Sequence, residues 1–232
     1  MIPAQHRRWA DWLFKPFIYW LLKRDFGRLR VVGDVPKVPE DMPIILVPNH
    51  ATWWDGFFVY LLNNQLFKRK FYIMMLAEQL TKYWFFRMLG AFGFSQQSRP
   101  DIVAAMKYSL EILRQKPSPL VIIFPQGALL PFNTRPLGFK SGVEWLASQA
   151  GSPVCILPLA MRCEYLGERK ADVYFLFGEP MFHSRTSPLS IKNLEQYSTT
   201  LLDDLEARIV RRESGEILLG QADKSSPTTL QP

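Results

Sequence analysis

Pro43-Ile44-Ile45-Leu46-Val47-Pro48-Asn49-His50-Ala51-Thr52-Trp53-Trp54-Asp55 is the stretch on which the fold reading turns. Ile44 to Val47 is short, apolar, largely β-branched and bounded by prolines, which is the pattern of a buried strand. His50 falls just past its carboxyl end, and Asp55 follows five residues on. Open α/β sheets carry their reactive groups at that end of a strand. The chain has only three histidines. A base with a carboxylate able to orient it suits removal of a proton from a hydroxyl. Thr52-x-x-Asp55 equally fits a capping box, with Thr52 as N-cap of the next helix. This pair alone leaves both readings standing.

Outward from this strand, buried strands and amphipathic helices alternate. Strands are expected over 29–35, 70–76, 91–95, 120–124, 154–161 and 173–177. Helices are expected over 6–25, 55–65, 78–89, 99–115, 139–150 and 191–212, with Gly90 and Gly151 ending two of them. That alternation predicts an α/β fold: a mixed, mostly parallel central sheet flanked by helices. Three regions follow: an amphipathic membrane-association segment over 1–27, a main domain over 28–212, and a disordered tail over 213–232, rich in Ser, Thr, Gln and Pro towards its end.

The amino-terminal segment carries Trp9, Trp12, Leu13, Phe17, Trp20 and Leu21, with Arg7, Arg8, Lys23 and Arg24 at its flanks. Arg8, Asp11, Lys15 and Tyr19 form a narrower polar stripe, and Pro16 should kink the helix or divide it in two. Tryptophan with basic flanks suits an element lying in the plane of a membrane interface. Composition agrees: 48% of residues are hydrophobic and 14% aromatic, and 28 Lys+Arg face 21 Asp+Glu. A basic, aromatic-rich chain points to an anionic surface. The cations are scattered and no nucleic-acid motif is present, so the membrane is the expected partner and nucleic acid is not. No run of 18 apolar residues occurs, and nothing reads as a cleavable signal peptide. The expected location is the cytoplasmic face of a membrane. Cys155 and Cys163 lie on one extended segment, too far apart for a disulfide, and read as reduced thiols.

A second strand end, Leu120-Val-Ile-Ile-Phe-Pro-Gln-Gly-Ala-Leu129, breaks abruptly at Pro125-Gln126-Gly127. Its amides could face an anion or an oxyanion, and Gly127 permits close approach. Together with Asn49, His50 and Asp55, this resembles the PlsC-type glycerolipid acyltransferases, the superfamily that includes lysophosphatidic acid acyltransferase. The family's N-H-x4-D block stands intact at Asn49, His50 and Asp55. Its second block resembles Gly90 to Arg99, its third Phe124 to Leu129 with Phe139-Lys140-Ser141-Gly142 following, and its fourth Pro153 to Ala160.

The resemblance implies acyl transfer from acyl-CoA or acyl-carrier protein to a lipid hydroxyl. His50 would be general base and Asp55 its orienting carboxylate; Asn49, Gln126, Gly127, Arg99, Arg135 and Lys140 are candidates for the acceptor or the oxyanion. No cofactor is expected beyond the thioester co-substrate, and no metal, because three scattered histidines make a poor zinc site. The third block departs from the family pattern, with Gln126 for the acidic residue, Ala128 for threonine and Leu129 for arginine. Leucine makes no bidentate phosphate contact. Either Arg99, Arg135 or Lys140 takes over the anionic group, or the acceptor is a glycolipid, a glycosylated isoprenoid or another lipid alcohol. The change of all three side chains towards neutral or apolar favours the second. A membrane-binding protein without catalysis is the reading from another class, and the intact Asn49, His50 and Asp55 argue against it.

Overall fold

Ile44–Pro48 forms strand β2, and all five of its residues are buried. Its side chains alternate between two layers: Ile44 and Leu46 enter one core, Ile45 and Val47 the other. Period-two alternation with both faces apolar requires cover on both sides. In the computed structural model, which describes residues 1–183 and 188–221, that cover is complete. Helices α1 (Arg8–Asp25), α2 (Asp55–Leu62) and α3 (Ala77–Lys82) pack on one face. Helices α4 (Arg99–Leu113), α5 (Gly142–Gln149) and α6 (Ile191–Val210) pack on the other. The result is the expected α/β sandwich.

The remaining strands are β1 (Leu29–Val31), β3 (Phe71–Leu76), β4 (Ala91–Phe94), β5 (Leu120–Ile122), β6 (Val154–Glu164), β7 (Asp172–Phe177), β8 (Met181–His183) and β9 (Glu216–Leu219). They run in the order β4-β3-β5-β2-β6-β7-β1-β9, with β8 paired to β6. Five of the eight pairings are parallel among the described residues. The antiparallel ones come from the β6–β7 hairpin and from the short strands β8 and β9. Cys155 and Cys163 both lie on β6 as free thiols. Burial pushes each up to about 12, which makes them poor nucleophiles.

Several expectations need correction. Residues 216–219 do not belong to a disordered tail: they form β9 against β1, with Leu219 buried. The apolar run Ile217-Leu218-Leu219 closes the otherwise open backbone edge of β1. Residues 222–232 of the expected tail lie outside the described residues. Pro16 does not divide the first helix, since α1 runs unbroken through it. Pro16 and Trp12 are both exposed, so the carbonyl that loses its partner faces water. The helix expected over 78–89 is broken at Tyr83, and a 3-10 turn over Trp84–Leu89 replaces its second half. The helix expected from Phe139 starts only at Gly142, because Gly138 and Phe139 donate their N–H groups to the Glu195 carboxylate and Lys140 donates its own to the Pro125 carbonyl.

Gly90 ends that turn at φ +111, and a Cβ there would lie 2.0 Å from the Phe71 carbonyl oxygen. Neither the backbone conformation nor the space admits a side chain. Gly90→Ala is expected to cost at least about 2 kcal/mol and lower the thermal midpoint by about 4–8 °C. An unchanged midpoint would mean that the turn re-forms at little cost.

Candidate active site

The chain leaves β2 under tight control. Asn49 is buried and its side-chain amide makes two bonds to Met161 of β6: Nδ2 donates to the carbonyl at 3.0 Å, and Oδ1 accepts from the amide at 2.7 Å. Asn49 thus works as a staple that prolongs the β2–β6 ladder, and it does not face an acceptor as the sequence suggested. Its effect is to fix where His50 emerges.

Asp55, 2% exposed, opens α2. Four donors converge on its carboxylate. Oδ2 accepts from His50 Nδ1 at 2.8 Å, Ala51 N at 2.8 Å and Thr52 N at 3.0 Å, and Oδ1 accepts from the Thr52 hydroxyl at 2.5 Å. The loop is therefore wrapped around the carboxylate. The capping-box reading survives by half: Asp55 does accept the Thr52 N–H, but the N-cap is Trp54, and the Thr52 hydroxyl donates to Asp55 where a capping hydroxyl would accept from the helix. Both roles of Asp55 coexist.

With the carboxylate as acceptor, His50 Nδ1 carries the proton and Nε2 is the ring nitrogen left with a lone pair. The 124–130 loop sets the ring's place. Phe124 stacks on the imidazole, with centroids 4.0 Å apart and planes at 21°. Gln126 Oε1 accepts from the His50 N–H at 2.5 Å, and Leu130 N–H donates to the His50 carbonyl at 2.9 Å. Buried Gln126 therefore holds His50 by its backbone, and its oxygen is not turned to an acceptor. The neutral amide keeps the acceptor geometry that a carboxylate would offer.

Gly127 adopts φ +67 and its N–H is committed to the Phe124 carbonyl at 3.1 Å, so this amide is not free for an oxyanion. A Cβ at Gly127 would come within 2.6 Å of Lys140 Nζ, which places the Lys140 ammonium on this loop. The other two candidate cations are elsewhere. Arg135 pairs with Asp203 of α6 at 2.6 Å and donates to the Phe132 and Thr134 carbonyls. Arg99 is exposed at the start of α4. Neither lines the cavity that His50 borders or the one adjoining it. Leu129 is half exposed and borders the cavity that His50 faces.

That cavity has a volume of about 420 Å³ and walls from Trp53, Phe57, Tyr60, Tyr83, Phe86 and Leu89 among others. Phe57 and Tyr60 are buried and Trp53 is exposed, so this aromatic run serves both core and cavity wall. A second cavity of about 470 Å³ adjoins it, sharing Met74, Phe94, Gln96, Ile123, Phe124 and Gly127 as walls. No cluster of three metal-ligating side chains occurs among the described residues.

A histidine held by a buried carboxylate at the edge of an apolar cavity is an arrangement able to take a proton from a hydroxyl. The model of the Acyltransferase family matches residues 28–162, more than half of the chain, and the chain belongs to this family: it is an acyltransferase. No curated protein matches its sequence. Among solved structures it is similar to the crystal structure of the 1-acyl-sn-glycerophosphate (LPA) acyltransferase PlsC from Thermotoga maritima. The two share 20% identity and a TM-score of 0.55 over 86% of this chain and 78% of that one. This likeness extends the common fold well beyond the stretch that the family model covers.

Proposed function

We propose that the protein transfers a fatty acyl group from acyl-CoA or acyl-carrier protein to a lipid hydroxyl at a membrane surface. One observation carries the reading: Asp55 holds His50 Nδ1 while the same imidazole borders a cavity lined by hydrocarbon and aromatic side chains. Nε2 takes the proton of the acceptor hydroxyl as its oxygen attacks the thioester carbonyl. Asp55 stabilises the imidazolium that forms. The tetrahedral intermediate expels the thiolate, which takes the proton back from Nε2, leaving ester and thiol. The apolar cavity takes the acyl chain.

The acceptor is a lipid alcohol that is not gripped by arginine: a glycolipid, a glycosylated isoprenoid or a related lipid. Support comes from Leu129 at the cavity edge and from Arg135 being spent on Asp203. Lysophosphatidate is the second reading, favoured by the Lys140 ammonium against Gly127. The test is incubation with labelled acyl-CoA and a total lipid extract, the product being identified by mass. Absence of any labelled lipid ester would remove the proposal.

Membrane association is supported by α1. Ala10, Ile18 and Leu22 are buried on its inner side, while Trp9, Trp12, Leu13, Phe17 and Trp20 stand out on the opposite side, Trp12 being 81% exposed. Such a patch is far larger than single exposed apolar residues and suits an interface, with Lys15, Lys23 and Arg24 beside it for anionic lipid. No helix among the described residues is long and apolar enough to cross a membrane, so the contact is peripheral or monotopic in this reading. Replacing Trp9, Trp12 and Trp20 together by Ser is expected to weaken liposome flotation at least about tenfold while the circular dichroism spectrum is retained. Equal flotation of the variant would move the contact to another face.

A further inference from the structure

The ring and both backbone groups of His50 are held by the segment that follows β5. Phe124 stacks on the imidazole, Gln126 Oε1 accepts from the His50 N–H, and Leu130 N–H donates to the His50 carbonyl. No helix or strand occurs between β5 and α5. A loop this long takes its position from what it is tied to. Its ties lead to α6. Gly138 and Phe139 donate to Glu195, at 2.8 Å on Oε1 and 3.3 Å on Oε2. Arg135 pairs with Asp203 at 2.6 Å. Arg162 of β6 reaches both Asn133 in the loop, at 3.3 Å, and Glu206 of α6, at 3.4 Å. Leu137 is buried in one cluster with Leu202, Leu205 and Ile209 of the same helix. The loop then closes on itself, because Lys140 N–H donates to the Pro125 carbonyl at 2.9 Å, next to Gln126.

We infer that Glu195 is a positioning residue for the acyl transfer: it fixes the segment from Gly138 to Lys140, which through Pro125 and Gln126 sets the place of His50. This rests on the reading of His50 as the base. Among the ties to α6, Glu195 acts nearest the closing bond from Lys140 to Pro125. Arg135 and Asp203 form a more exposed pair, and such pairs hold little. Each Glu195 oxygen takes one N–H, so both are needed. The residues from Phe139 onward favour a helix by their pattern, and Glu195 keeps them extended as far as α5. Released from it, they can take up the helical conformation, and the Lys140 N–H turns away from Pro125. Gln126 and Leu130 then lose the fixed loop on which their bonds to His50 depend. A general base has to stay within hydrogen-bond reach of the acceptor hydroxyl, and a misplacement of about 1 Å costs up to about 10²-fold in rate.

The test compares Glu195→Ala and Glu195→Gln with wild type on the full chain. Glu195→Ala is expected to lower kcat about ten- to hundredfold, with the KM of donor and of acceptor unchanged. Glu195→Gln should fall between the two, since an amide keeps one acceptor and turns its NH₂ to the other N–H. Two readouts separate positioning from plain stability. In hydrogen exchange, the amides of His50 and Leu130 exchange faster in Glu195→Ala, while the Met161 amide, held by Asn49, does not. In a double-mutant cycle with Gln126→Ala, the losses in kcat are less than additive, because both act by one route. Should Glu195→Ala fail to fold, Glu195→Gln carries every measurement. With His50 confirmed as the base, an unchanged kcat, a rise in KM alone or fully additive losses overturns the inference. His50→Ala keeps the two readings apart. If that variant retains wild-type turnover, the base reading fails, while faster exchange at His50 and Leu130 in Glu195→Ala still upholds the anchoring of His50 by α6. If exchange is unaffected as well, the anchoring fails with it.

Discussion

His50→Ala is expected to lower kcat by about 10²–10⁴-fold, the range for removal of a positioned general base. The variant is a clean test because most of what holds residue 50 in place is backbone. Its N–H still donates to Gln126 and its carbonyl still accepts from Leu130. Asp55 keeps its three donors from Ala51 and Thr52, so no buried charge is orphaned. The structural cost is the stacked contact with Phe124, worth about 0.5–1.5 kcal/mol, and the Nδ1–H bond to the Asp55 carboxylate, worth about 1.5–3 kcal/mol. Turnover should therefore collapse in a protein that still folds and still floats with liposomes. Wild-type turnover in the variant would remove His50 from the chemistry.

Asp55→Asn is expected to lower kcat by about 10²-fold or more, for a reason the hydrogen bonds make specific. Oδ2 serves three donors and Oδ1 only the Thr52 hydroxyl. An asparagine can keep its oxygen towards the three N–H groups and turn its NH₂ to Thr52, whose hydroxyl rotates to accept. The loop and the Nδ1–H tautomer of His50 are then retained, and what disappears is the negative charge that stabilises the imidazolium. The helix loses an acidic residue in its first turn, a loss of about 0.3–1 kcal/mol. Asp55→Ala would strand buried donors and would not separate the two effects. If Asp55→Asn keeps its turnover and loses mainly thermal midpoint, the carboxylate serves only as the staple of its loop.

The strand before His50 was legible because four apolar residues between prolines have few other uses, and the layered fold followed from alternation. What escaped were features that depend on distant partners. Ile217-Leu218-Leu219 is too short to be distinguished from a tail until the bare edge of β1 is beside it. The extended stretch before Gly142 is owed to Glu195, more than fifty positions away, which takes the two N–H groups that a helix would have used otherwise. Asn49 and Gln126 were read as facing a substrate, since a polar side chain beside a histidine gives no sign of its direction. Their partners, Met161 and the His50 backbone, are brought near only by the parallel pairing of β2 with β6 and β5.

The sequence by itself determined the α/β class, the pair His50 and Asp55, and the family whose blocks they begin, because each rests on local spacing. Tertiary structure alone decided which polar groups are spent and which remain. It committed the Gly127 amide to Phe124 and Arg135 to Asp203, and it set Lys140 in the second of two joined cavities. A side chain's availability depends on every donor and acceptor within about 3 Å of it, and those neighbours come together only when the sheet has formed.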